Sequence, residues 1–446
     1  MMGTQGTRKG RITRRTFLKT AAGAAVAAAP GVSLLPKVYA QRRTLTIKAL
    51  VRDYTLRLES PWRTAAVELK RRHPDVDINV ELDGSPYDDQ RRKALISTQA
   101  GRGADVIQMD NIWLGEFAEG GIIQDVTARF EAWKDKDDVP PVYLKTSTWK
   151  GRVYGLWLNS DVRLLHWNKQ VFKKFGLDPN RPPRTWNELI AAAQKTTNPP
   201  NSWGYVFPGG QAEETVDRWL AYLYQLGGSV LNADNTQAVF NSEAGVRALQ
   251  FHVDLVNKYR VTPREILGSQ QDELVNALVT SERFAMGIVV GTGYRPQGTG
   301  EYKTPEEFAR IRGATILPVP EGGRRATVMG GWILTVGRNS ANADLAWEYI
   351  TIASSEAYAR EFWQKQQRVP TRKSAFERMA TYNQVMPYFD QIAESVPFAR
   401  LGPQVPQYPS FLPFMITGIQ RALSGEMPPK GALDQAAAQT NDVLKR

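Results

Sequence analysis

The sequence predicts an α/β protein built around a parallel sheet with helices on its faces. Two observations carry this. Strand-like and helix-like runs alternate from Thr44 onward, and the later strand-like runs, "RFAMGIVVG" and "GGWILTVG", are almost continuously apolar. Alternating β and α runs are the signature of βα units. A strand covered on both faces loses its in-out alternation and reads as an unbroken apolar run.

The elements follow in order. Thr44–Val51 reads as the first strand, and a helix around Trp62, Ala66 and Leu69 follows it. Asp75–Leu82 is the second strand, Tyr87–Ala100 the second helix and Ala104–Asp110 the third strand. Thr185 and Glu188 have the spacing of a capping box, in which each side chain bonds the other's backbone amide, so a helix begins there. Ser242 is placed to cap a helix whose apolar face is Val246, Leu249, Val253 and Val256. Arg283–Gly291, "GATILPVP" and "GGWILTVG" are further strands, and Ala341–Ala353 is a helix. From Ser355 the chain reads as helical pieces broken by prolines, notably between Pro397 and Pro413.

The first forty residues stand apart. Five basic residues lie between Arg8 and Arg15, then a weakly apolar Ala/Gly run extends to Leu35, then "VYAQ" offers small residues suited to cleavage. A spanning helix needs roughly 20 strongly apolar residues, and this run is shorter and weaker. A basic start, an apolar middle and a small-residue end make a secretory signal over residues 1–40. Arg14-Arg15 followed by Phe17, Leu18 and Lys19 resembles the twin-arginine export motif, which serves proteins exported already folded. Seven of the basic residues and none of the acids fall in this segment, so the net charge of +12 drops to +5 without it. Nucleic-acid binding thereby loses its main support. The chain has no Cys, which excludes disulfides, thiolate metal sites and a lipid-anchoring cysteine at the cleavage point. The expectation is a periplasmic protein that is free, soluble and monomeric.

Folded export often serves a loaded cofactor, but the sequence offers none. His73, His166 and His252 are far apart, without the spacing that puts two metal ligands on one helix face. "GTGYRPQGTG" follows a strand, yet its spacing departs from a dinucleotide loop and Pro296 stands where a helix should open. No phosphate-cradling loop or nucleophile elbow is present, so neither catalytic residues nor a metal site are assigned. Asp88-Asp89 and Glu213-Glu214 read as solvated helix starts rather than a paired acid and base. What remains is a recurring feature of strand ends, where an aromatic or an acid sits beside Gly or Asn. Examples are Asp53-Tyr54, Asp110-Asn111 with Trp113, Asp161 with Arg163, Tyr294, Gly331-Trp332 and Arg368. Ligands of open α/β sheets bind beyond the carboxyl ends of the strands. Flat rings and short polar groups suit a sugar, which offers an apolar face and a rim of hydroxyls.

The run "GRVYGLWLNSDVRLLHWNKQVFKKFGLDP", followed by "TWNELIAAAQK", resembles the extracellular solute-binding proteins of family 1, which include maltose- and trehalose-binding members of ATP-driven (ABC) importers. "GRGADVIQMD", "FAEGGIIQDV", "RFAMGIVVG", "LPVPEGG", "GGWILTVGRNSANADLAWEYITIASSEA" and "RVPTRKSAF" match the family pattern in order. The resemblance implies the two-lobed, class II periplasmic binding fold with three crossings, near Asn159–Val162, Arg312–Thr315 and Ile352–Ser355. It implies an N-terminal lobe of residues 41–158 and 315–352, and a C-terminal lobe of 162–312 and 355–446. It implies no enzymatic activity and no cofactor. The partners it implies are a small carbohydrate, the transmembrane subunits of an ABC permease and, during export, the twin-arginine translocase. Carried over by position, the ligand contacts are Asp53, Tyr54, Tyr87, Asp110, Trp113, Asp161, Tyr294, Gly331, Trp332 and Arg368. The Gly-rich loop with Tyr294 departs from members that place Trp there. A polyamine or a phosphorylated solute is the alternative cargo, and an exported carbohydrate-active enzyme the alternative of another class.

The export reading has a direct test. Replacing both arginines, Arg14→Lys with Arg15→Lys, leaves precursor in the cytoplasm, as seen by cell fractionation and immunoblotting. Export at the unaltered level overturns the route.

Overall fold

The computed structural model describes residues 44–57, 61–269, 274–275, 277, 281–294 and 304–445. The signal segment and the Gly-rich run beyond Tyr294 lie outside these residues, as does the side chain of Tyr54.

The architecture is α/β, and its sheet is mixed. β1 (Thr44–Arg52), β2 (Asp77–Ser85) and β3 (Val106–Asp110) pair in parallel, with β1 in the middle. Helices Trp62–Arg72 and Tyr87–Gln99 make the crossovers. A small hairpin, β4 (Thr148–Trp149) and β5 (Arg152–Val153), precedes the long strand β6 (Gly155–Asn168). Then come β7 (Trp203–Val206), β8 (Phe284–Val290), β9 (Arg312–Thr315), β10 (Thr327–Val336) and β11 (Ala399–Arg400). The sheet order is β2-β1-β3-β10-β6-β8-β7, with β9 on β6 and β11 on β10. The parallel sheet expected from the βα alternation is broken by β10, which enters between β3 and β6 and runs against both.

β6 divides the sheet into two halves. Its residues from Gly155 to Val162 pair with β10, whereas Arg163–Asn168 pair with β8 and β9. All fourteen of its residues are buried, including the polar Asn159, Ser160, Asp161, Arg163, His166 and Asn168. Since β9 pairs with the far half of β6, the chain returns toward β3 only along β10, from Met329 opposite Val162. That passage lies downstream of Arg312–Thr315. The third stretch, Ser354 to Arg372, is tied to β6 directly. Val369 exchanges backbone hydrogen bonds with Ser160, at 3.0 and 2.9 Å, and Thr371 Oγ1 donates to Trp157 O at 2.7 Å.

Several local expectations shift by a residue or a turn. Thr185 Oγ1 accepts from Glu188 N at 3.1 Å, but Glu188 reaches back to Arg184 N at 2.7 Å, one residue before the usual partner. Ser242 sits at the N-cap of helix Glu243–Asn257 without a side-chain bond. The buried face of that helix runs through Ala248, Leu249, His252, Leu255 and Val256, leaving Val246 and Val253 half-buried. His252 stacks on Phe207 at 4.3 Å, and burial with the nearby Arg218 pushes its pKa down to about 3. Pro413 lies inside helix Tyr408–Ser424 rather than ending a helical piece.

Gly331 is fixed by strand packing. Its φ is +143°, and a Cβ there would stand 2.3 Å from Asn159 O and 2.8 Å from Ser160 Cα. The register slips between Trp332 and Ile333 at this point. Gly331→Ala is expected to cost about 2–4 kcal/mol of stability, from overpacking and backbone strain together. Urea unfolding of the ligand-free protein reads this directly.

Candidate functional site

A cleft of about 570 Å³ opens along the line where β6 passes from one half of the sheet to the other. Its size is in the range of small-molecule pockets. One wall comes from the ends of β1 and β3, the start of helix Tyr87–Gln99 and the Gly330–Trp332 stretch of β10. The facing wall comes from Arg163 of β6 and the first turn of helix Glu213–Gln225. Arg368 and the C-terminal helix Tyr408–Ser424 complete it.

The aromatic wall is built of three rings. Tyr87 and Trp113 lie 5.3 Å apart, and Trp332 stands edge-on to both, at 6.0 and 6.3 Å. The Arg52 guanidinium lies over Tyr87 and Trp332 at 5.4 and 5.3 Å, a cation–π arrangement.

The polar floor is an ion network. Asp161 Oδ1 accepts from Arg163 Nη1 at 2.5 Å and from Gly330 N at 3.2 Å. Its Oδ2 accepts from Arg368 Nη1 at 2.9 Å. Arg163 also donates to Asp217, so it is held between two carboxylates. Desolvating such charges is expensive, and the network is favourable only while each charge keeps its partner.

A second acidic group behaves differently. Asp110 caps the turn Asn111–Trp113 by accepting from Ile112 N at 3.2 Å, and it meets Tyr87 Oη at 3.1 Å. Glu213 reaches the same phenolic oxygen from the opposite wall, at 3.2 Å. Burial pushes the Asp110 carboxyl up to about 7, with repulsion from Asp161 and Asp217 adding to it. Burial, followed by repulsion from Asp110 and Asp217, lifts Glu213 well above the usual carboxylate range. The expectation that Glu213-Glu214 is a solvated helix start is therefore corrected, since both residues line the cleft. Asp89 does remain at the surface, paired with Arg92.

The candidate residues from the sequence divide as follows. Tyr87, Asp110, Asp161, Gly331, Trp332 and Arg368 converge on the cleft. Trp113 is buried behind it, 3% exposed, and supports Tyr87 and Trp332. Asp53 does not line it. Arg52, the last residue of β1, lines the cleft, whereas Asp53 opens the 3-10 turn Asp53–Arg57 and its side chain stays half exposed at 3.7 Å from Arg52. Tyr294 is buried against Phe308 at 5.5 Å and does not line the cleft either. Trp157 belongs to the core, 5.3 Å from Tyr143. Sequence reasoning missed Arg52, Glu213, Glu214 and Asp217. The last three lie on the first two turns of a helix, Glu213 and Asp217 four residues apart on one face, a signal visible only once that face is known to meet the cleft.

Among the described residues no group of three or more His, Cys, Asp or Glu side chains is arranged to hold a metal ion, and no helix is long and apolar enough to cross a membrane.

The chain matches a family model described as bacterial extracellular solute-binding protein over residues 55–360. It is 22% identical over 404 residues to a binding protein of Brucella abortus (strain 2308), covering 90% of this chain and 93% of that one. It is 24% identical over 303 residues to the arabinooligosaccharide-binding protein of Bacillus subtilis (strain 168), 66% of each chain. Its fold is similar to that of an ABC transporter solute-binding protein from Thermotoga lettingae bound with α-D-tagatose. The TM-score is 0.76 and the identity 30%, over 90% of this chain and all of that one.

The ion network predicts its own fragility. Asp161→Ala leaves Arg163 and Arg368 each short of a buried partner and is expected to lower stability by about 3–5 kcal/mol. Chemical denaturation without ligand measures it, and a loss below about 1 kcal/mol would assign the network no structural role.

Proposed function

The chain belongs to the bacterial extracellular solute-binding protein family, and from that membership we propose that it captures a sugar or short oligosaccharide in the periplasm and delivers it to an ABC permease. The observation that carries this is the convergence of an aromatic wall and a polar floor from the two halves of one sheet on a cleft of about 570 Å³. Trp332 and Tyr87 offer flat faces to the C–H side of a sugar ring, and Asp110, Asp161 and Arg368 offer acceptors and donors to its hydroxyls. The tagatose-bound Thermotoga protein and the arabinooligosaccharide-binding Bacillus protein support the same cargo class.

Capture works by hinge closure. The lobes are residues 41–158 with 315–352, and 162–312 with 355–446, the second boundary lying nearer Met329 where β10 meets Val162. Ligand that touches both walls stabilises the closed form by its difference in affinity for the two states. Tyr87 and Glu213 already meet across the cleft, so closure brings side chains of both lobes into hydrogen-bond contact. Micromolar binding needs about 8 kcal/mol. Stacking contacts of roughly 0.5–1.5 kcal/mol each beyond area burial, with charge-assisted hydrogen bonds of about 1.5–3 kcal/mol, reach that sum. The protein is exported folded by the twin-arginine translocase and acts as a monomer.

A phosphorylated cargo is less well served, because Arg163 and Arg368 are already engaged by Asp161 and Asp217. A thermal-shift screen against sugars, polyamines and sugar phosphates tests the reading. Ligand at a hundred times its dissociation constant adds about 2.7 kcal/mol of stability. Trp332→Ala is expected to weaken binding of the best sugar by about tenfold to a hundredfold, as truncation of a central aromatic anchor does. Calorimetry that finds unchanged affinity removes Trp332 from the site.

A further inference from the structure

We propose that the solute carries a primary ammonium group seated between Asp110 and Glu213, which makes the cargo an amino sugar or an aminated polyol. The inference deepens the carbohydrate reading and rests on it.

The first observation is an imbalance of partners. Asp161 and Asp217 are answered by Arg163 and Arg368, whereas Asp110 and Glu213 form no ion pair among the described residues. The second is a shortage of hydrogens. Both carboxylates meet the same Tyr87 hydroxyl, at 3.1 and 3.2 Å, and a phenol has a single proton to donate. One of the two contacts therefore lacks a hydrogen unless a proton or a cation is supplied. The third is a buried acceptor without a partner. Asn111 lines the cleft beside Asp110, is 2% exposed, and its Oδ1 accepts no hydrogen bond. An ammonium brings three donors and no acceptor to this setting. Two carboxylates and an amide oxygen match that demand.

The charged groups around the pair are accounted for. Arg52 lies over the rings of Tyr87 and Trp332 and 3.7 Å from Asp53. Arg163 is held between Asp161 and Asp217, and Arg368 is on Asp161. The helix that carries Glu213 adds Glu214 and Asp217, both acidic. The helix Tyr408–Ser424 brings Leu412 and Ile416 to the cleft, both apolar. Among the described residues no guanidinium or ammonium is ion-paired with Asp110 or Glu213.

The test is calorimetry at pH 7 with matched pairs: glucose and glucosamine, galactose and galactosamine, mannose and mannosamine, with putrescine and spermidine as amines lacking a sugar. An aminated sugar is expected to bind at least about tenfold tighter than its neutral parent, the scale of one charge-assisted contact. Glu213→Gln is expected to reduce that preference by a similar factor while leaving the melting temperature of the free protein unchanged or higher, since it removes a like charge. Asp110→Asn provides the same readout should Glu213→Gln not fold. Lowering the pH from 7 to 5.5 protonates Asp110 and should weaken the aminated sugar by about tenfold, leaving its neutral parent unaffected. A neutral sugar that binds as tightly as its aminated form overturns the inference and leaves the carbohydrate reading standing. Binding of putrescine or spermidine with no sugar bound removes the carbohydrate reading and keeps the ammonium seat. Absence of binding by every aminated probe overturns the inference.

Discussion

The cleft exists because β6 changes partners in mid-strand. From Gly155 to Val162 it pairs with β10, and from Arg163 it pairs with β8 and β9. A single extended strand of fourteen residues is therefore shared between two half-sheets, and the groups at the change of partner are held by both. Asp161 and Arg163 straddle that point, with Val162 between them. On β10, Gly330 stands opposite Asp161 and Gly331 opposite Ser160, and Gly331 has no room for a Cβ against Asn159. The close approach of two backbones, rather than any contact with ligand, is what demands glycine there.

This constraint also explains where the charges sit. At the change of partner Asp161 accepts the Gly330 amide, which keeps its carboxyl beside β10 and toward Arg163 and Arg368. Arg368 is brought in by Val369, whose backbone pairs with Ser160 one residue before Asp161. Asp217 closes the network from the second turn of its helix. Each member is thus placed by main-chain pairing or by a helix turn, so the network needs little side-chain freedom to form. The same rigidity makes removal of one member costly, because the remaining partners cannot move to water.

Much of this was legible in the sequence, and the limits have physical causes. The βα alternation located the first three strands to within a few residues, because β1 and β3 carry buried apolar stretches and β2 alternates between more and less exposed residues. The convergence of Tyr87, Asp110, Asp161, Trp332 and Arg368 was anticipated from their strand-end positions and the family resemblance. Arg52 lines the cleft and Asp53 does not, because β1 ends at Arg52 and Asp53 opens the turn that follows, a boundary the sequence does not mark. Tyr294 follows the apolar strand β8 and looked like a cleft aromatic, yet Phe308 takes it into the core. Glu213 looked like any acid in a helix's first turn, where the dipole favours negative charge. Only tertiary placement shows that this turn opens on the cleft. Ser242 and Glu188 show the same limit at helix starts, where the residue types are right and the bonds made differ by one position or are absent.

Asp161 and Asp110 have the same chemistry and different partners. Asp161 is ion-paired with two guanidiniums, those of Arg163 and Arg368. Asp110, a few ångströms of wall away, has a backbone amide, an amide side chain and a phenol, and none of these supplies a positive charge. Its charge is therefore opposed by desolvation and by its acidic neighbours, and Glu213 adds to the opposition when the walls meet. The raised carboxyls hold a proton more readily, and a proton kept at this pair supplies the second hydrogen that Tyr87 lacks for its contacts with Asp110 and Glu213.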